Sequence, residues 1–154
     1  MPEILFYHLD RQSLEQALPR LLEATLKRGW RALVQAGSDA RVRSLDQHLW
    51  TWRDDSFLPH GGEGDADAQK HVARQPIWLT AEETGNPNGA DVLFLVDGAA
   101  REATDDFTRC VFMFDGRDDA ATAEARERWA ELKESGATPT YWQQSENGKW
   151  EKRA

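Results

Sequence analysis

The chain has 154 residues, a formal net charge of -8 and 40% hydrophobic content, enough for one hydrophobic core and short for two. A lone Cys110 excludes a disulfide scaffold, and no apolar run approaches the roughly 18 residues that a membrane span needs. The acidic balance repels a phosphate backbone at long range, which makes nucleic acid an awkward main ligand, whereas the seven Trp are of the type that anchors protein interfaces.

Residues 1–7 carry no basic stretch ahead of their apolar residues, so the start reads as strand rather than signal peptide and a cytoplasmic protein is expected. Ile4–Leu9 is an apolar run of strand length. Ser13 then opens a helical pattern through Leu14, Ala17, Leu18, Leu21, Leu22 and Leu26 that stops at Gly29, with Pro19 predicting a kink or a later start. Trp30–Ala36 is a second strand, and Ser38 opens a second helix with Val42, Leu45, Leu49 and Trp50 as its apolar positions. Two β-α steps in succession predict a parallel sheet covered by helices.

Residues 51–75, with Asp54-Asp55, Pro59 and three Gly, read as a long surface loop. Pro76–Thr80 and Ala90–Val96 are strands joined through the turn Asn86-Pro87-Asn88-Gly89. Arg109–Phe114 gives another strand, Asp118–Ser135 a long helix closed by Gly136, and Thr138–Gln143 a last strand. No linker or repeat divides the chain. The expectation is one α/β domain over 1–154, a mostly parallel central sheet flanked by helices.

Open sheets of this order often hold nucleotides at the carboxyl ends of their strands. The first loop, His8-Leu9-Asp10-Arg11-Gln12-Ser13, has no Gly, which argues against both the dinucleotide fingerprint and the P-loop. Val92–Val96 ending in Asp97 has the look of a strand carrying a metal-binding Asp, but no Gly-Lys-Ser/Thr partner accompanies it, and an Asp terminating a buried strand ahead of Gly98 is the preferred reading. A nucleotide-dependent or hydrolytic enzyme using Asp97, Asp10 and His8 is the rival reading. His8, His48, His60 and His71 show no metal-ligand spacing, and Cys110 sits in an apolar strand as a core thiol. No catalytic, cofactor-binding or metal residue is therefore assigned.

On the 118–135 helix, Ala121, Ala125, Trp129, Leu132 and Gly136 form the stripe that should face the sheet. Arg126, Ala130 and Lys133 adjoin it, so an indole is offered beside two cations, a combination suited to an acidic peptide with an apolar anchor. The alternative is a solvated face on which Glu124, Glu127, Glu131 and Glu134 pair with the bases. A second unusual segment, 49–61, places Trp50, Phe57, Leu58 and Pro59 at a helix end and in the loop behind it. They either fold over the sheet edge or form an exposed apolar patch for a partner.

Several short stretches in fixed order carry a resemblance: Phe6-Tyr7-His8-Leu9, Leu45-Asp46-Gln47-His48-Leu49-Trp50, Ser56-Phe57-Leu58-Pro59-His60, Ala90-Asp91-Val92-Leu93, Phe114-Asp115-Gly116-Arg117, Ala125-Arg126-Glu127-Arg128-Trp129 and Thr140-Tyr141-Trp142-Gln143-Gln144. Along essentially its whole length the chain resembles the chi subunit of bacterial DNA polymerase III holoenzyme, a clamp-loader accessory subunit. The resemblance implies a Rossmann-like three-layer fold without nucleotide binding, no cofactor, and a non-catalytic adaptor in DNA replication. It implies two partner surfaces and little direct contact with nucleic acid or membrane.

One surface would receive the acidic, Phe-ending C-terminal tail of single-stranded DNA-binding protein. Arg126 would be its central cation and Trp129 its aromatic position, with Lys133 and Arg128 assisting. The other would hold the psi subunit, or another clamp-loader subunit where psi is missing, through Trp50, Phe57, Leu58 and Pro59. Two departures predict a weaker or shifted tail footprint: Ala130, and Thr122 to Ala123, are uncharged where members of the family carry Lys. Lys133 is expected to compensate in part.

Overall fold

The structure, a computed structural model, describes residues 2–52, 59–63, 66–83, 85–101 and 104–154. In chain order these carry β1 (Glu3–Leu9), α1 (Leu14–Lys27), β2 (Ala32–Gln35), α2 (Asp39–Thr51), β3 (Gly61–Gly62), α3 (Ala66–Gln69), a 3-10 turn (Val72–Arg74), β4 (Ile77–Thr80), β5 (Val92–Leu95), β6 (Arg109–Asp115), α4 (Asp119–Glu134), β7 (Thr140–Gln144) and β8 (Trp150–Lys152). The strands form one eight-stranded sheet in the order β3-β4-β2-β5-β6-β1-β7-β8, parallel throughout except for the β7–β8 pair. This is the mostly parallel α/β architecture that the alternating pattern predicts.

Because successive side chains leave a strand on opposite faces, the near-continuous apolar strands supply two cores. Val34, Leu79, Phe94 and Val111 meet Leu18, Leu22, Leu45 and Leu49 of α1 and α2 on one face. Phe6, Leu33, Trp78, Leu93, Leu95 and Cys110 form the other. α4 covers that second core with Ala125, Trp129 and Leu132, yet none of its residues is fully buried. A helix seated this shallowly leaves open space along its flank. Cys110 is 1% exposed, and burial pushes its thiol up to about 12, as a core residue requires.

Two differences from the sequence expectation have local causes. Within 51–75, Gly61 and Gly62 pair with Trp78 and Leu79 as an edge strand, and short helical turns follow. A Cβ at Gly61 would stand 3.0 Å from both Trp78 and Ala68, so the chain reaches the sheet here only without a side chain. β8, also missed, closes a hairpin on β7 around Gly148, whose φ of 80° requires glycine.

Pro19 interrupts nothing. α1 runs unbroken from Leu14 to Lys27, opened by a capping box between Ser13 and Gln16. Proline has no N–H for the carbonyl four residues earlier. That carbonyl, on Glu15, is instead met by His48 Nε2 of α2 at 2.6 Å. His48→Ala should therefore cost about 1–2 kcal/mol in urea unfolding, and less in a Pro19→Ala background, where the backbone amide returns to Glu15.

Candidate functional site

α4 is set in place by its ends. Asp118 Oδ1 accepts hydrogen bonds from the Ala120 and Ala121 amides at 3.0 and 3.3 Å, and Gly136 closes the helix with φ 92°. Trp129 anchors the middle, edge-on to Phe6 at 5.4 Å and to Tyr141 of β7 at 6.0 Å between ring centroids. Between this helix and β7 lies a notch of about 300 Å³. Phe114, Ala125, Trp129 and Tyr141 make its apolar wall, and Thr122 and Ala154 also line it.

Arg126 and Lys133 stand at the mouth. Arg126 is exposed, and none of the ion pairs among the described residues involves it. Lys133 Nζ lies 5.2 Å from the Trp129 ring centroid, a cation over an indole face. Glu124, Glu127, Glu131 and Glu134 form no ion pair with these bases among the described residues, so the self-neutralised helix face is not what folds. Burial pushes the Tyr141 phenol up, with Arg126 opposing and Asp10 reinforcing.

The structure separates Arg128 from this group. Its guanidinium sits 5.8 Å from the Phe112 ring centroid and lines a different, larger cavity of about 510 Å³ at the carboxyl ends of β1, β5 and β6. Helical geometry accounts for this: positions 126 and 128 are about 200° apart around the axis. Tyr141 and Phe114 are the site residues that sequence reasoning missed. They lie on β6 and β7, the strands on either side of β1, and only the register brings Phe114 beside His8 and Tyr141 beside Phe6.

The larger cavity occupies the place where open sheets bind nucleotides, and its chemistry differs from theirs. The Ser13 amide is bonded to Gln16 Oε1 and the Gln16 amide to Ser13 Oγ, so two of the amide donors at the start of α1 are already engaged. Arg41 joins Glu15 at 2.5 Å and approaches Asp97 at 3.8 Å. Asp10 accepts from Gln143 at 2.6 Å, and His8 is hydrogen-bonded to Tyr141. The three residues of the rival reading thus serve internal contacts, and no three His, Cys, Asp or Glu among the described residues converge as metal ligands would.

At the far end of α2, Trp50 is 51% exposed, the only large hydrophobic residue so exposed among those described. Its ring lies 4.4 Å from that of buried His60, whose Nε2 is 3.0 Å from Asp46 Oδ1. Pro59 beside it is half-buried, while Phe57 and Leu58 lie outside the described residues. No helix among the described residues is long and apolar enough to cross a membrane.

A family model for the DNA polymerase III chi subunit, HolC, matches residues 1–140. The chain belongs to that family. Among curated relatives, a protein of Rickettsia prowazekii (strain Madrid E) named "Probable DNA polymerase III subunit chi" is 29% identical over 96 residues, 62% of this chain and 55% of the relative. The chain thus matches about half the length of that relative. The DNA polymerase III subunit chi of Haemophilus influenzae (strain ATCC 51907 / DSM 11121 / KW20 / Rd) is 26% identical over 124 residues, 80% of this chain and 83% of the relative.

One ion pair of this chi-family chain has a consequence for its acid stability. Burial would raise the Glu15 carboxyl, but its backbone hydrogen bond and the Arg41 guanidinium outweigh burial and hold it below the usual range. A carboxyl lowered on folding contributes stability that is complete above its unfolded value, about 4.3, and is lost as pH falls through the folded one. Urea unfolding between pH 7 and pH 3 should therefore show a shallower acid loss in Arg41→Ala than in the wild type.

Proposed function

We propose that this chi-family protein is a non-catalytic adaptor that links the clamp loader of the replicative polymerase to single-stranded DNA-binding protein by gripping its acidic C-terminal tail. The observation that carries this reading is the notch: Arg126, in no ion pair among the described residues, stands at the mouth of an aromatic hollow large enough for one ring. A guanidinium can hold a carboxylate through two parallel hydrogen bonds, while the hollow between Trp129, Phe114 and Tyr141 takes the terminal phenyl group.

Magnitudes divide the work. An exposed charge pair contributes about 0–1 kcal/mol, whereas burying a Phe side chain contributes about 1.5–3 kcal/mol. The ring supplies most of the affinity, and the charges supply register and association rate. Ala130 and Thr122 leave the rim less basic than the tail would prefer, with Lys133 the remaining second cation. Weak single contacts suffice where one partner offers several tails. Arg126→Ala should weaken binding of a synthetic acidic peptide ending in Phe by at least about tenfold in fluorescence anisotropy, and added salt should weaken the wild type. Unchanged affinity in the variant contradicts the proposal.

The second surface is read as the contact with psi or another clamp-loader subunit, through Trp50, Pro59 and the neighbouring Phe57 and Leu58. Its support is the exposure of Trp50 beside a buried His60. Trp50→Glu should abolish copurification with the clamp-loader complex while leaving the unfolding midpoint nearly unchanged, since half of the indole already faces water.

A further inference from the structure

The back wall of the notch depends on a residue that does not line it. Tyr141 is tied through its hydroxyl to His8 Nδ1 on the adjacent strand β1. The imidazole also packs edge-on against Phe114 and Tyr141, with ring centroids 5.2 and 5.8 Å away. Gly116 provides the room, because a Cβ there would overlap Nε2, Cδ2 and Cε1 of the ring. A half-buried, titratable group therefore stands one hydrogen bond behind two of the notch's aromatic walls.

We propose that His8 is a positioning residue for the notch, holding Tyr141 against Trp129 through its Nδ1 bond and, when protonated, placing a positive charge behind the carboxylates of a bound acidic tail. This rests on reading the notch as an acidic-tail site. The bond survives either state. A neutral imidazole accepts the Tyr141 O–H at Nδ1, and an imidazolium donates Nδ1–H to the same oxygen.

Charged groups on the surrounding elements act on the imidazole or on its partner Tyr141. Asp115, at the end of β6, is held in its ionised form chiefly by the Arg117 amide, and it pairs with the Arg117 guanidinium at 3.2 Å. Asp10, just past β1, accepts from Gln143 of β7 and keeps its Oδ1 buried with no hydrogen-bond partner among the described residues. Arg126 of α4 acts on Tyr141 from across the notch. With Lys133 also lining the notch, a proton on His8 would add one further positive charge behind it. By linkage, an anionic ligand then binds the form with a protonated His8 more tightly than the neutral form.

The test is anisotropy titration of the acidic, Phe-ending peptide with the full chain between about pH 8 and about pH 5.5, a span that leaves peptide carboxylates ionised. Wild-type affinity should rise about fivefold on acidification, at the low end of coupling between neighbouring sites. His8→Asn, which can keep the bond to Tyr141 but cannot titrate, should match the wild type at high pH and show a flat profile. His8→Gln provides a second non-titrating variant. Tyr141→Phe should bind several-fold more weakly throughout with the pH dependence retained. A wild-type profile in the non-titrating variants, or full affinity in Tyr141→Phe, overturns the inference. A peptide that fails to bind the wild type at any pH overturns the notch reading itself.

Discussion

The central constraint is a cation left without an internal partner on a molecule that is acidic as a whole. Arg126 projects from a helix carrying four nearby glutamates, and the fold pairs it with none of them among the described residues. A carboxylate delivered from outside therefore meets a guanidinium that breaks no existing bond to receive it. On the proposed reading, the surrounding negative charge would disfavour nucleic acid and leave only local complementarity to attract an acidic chain.

That arrangement follows from how α4 is seated. The first face of the sheet is closed by two helices that bury leucines completely, whereas the second is covered by a helix rich in alanine and charge whose largest inward residue is Trp129. Trp129 props the helix on Phe6 and Tyr141, and small neighbours such as Ala125 leave the hollow beside it. The notch is thus a by-product of incomplete coverage, and its aromatic walls are residues of the second core that reach the surface.

How much of this the sequence made legible depends on whether a residue's role is local or set by register. The β-α order emerged as expected, and the position of Arg126, Trp129 and Lys133 along one notch is a matter of spacing along one helix. Arg128 was grouped with them by motif proximity, although two positions along a helix turn a side chain to another flank. Phe114 and Tyr141 escaped notice because their approach depends on β1 lying between β6 and β7, which no local pattern encodes. The Gly61-Gly62 edge strand is hidden because glycine carries no strand propensity, while Asn147-Gly148 is a local hairpin signal for β7 and β8. Of the apolar patch, Phe57 and Leu58 lie outside the described residues.

Side-chain chemical-shift mapping of the full chain with an acidic, Phe-ending peptide addresses the central claim most directly. The account predicts saturable perturbations at the Trp129 indole, the Phe114 and Tyr141 rings and the Arg126 guanidinium, with contacts from the peptide's terminal phenyl group to Trp129. Perturbations confined to the cavity at the carboxyl edge of the sheet, or to the surface around Trp50, would contradict it.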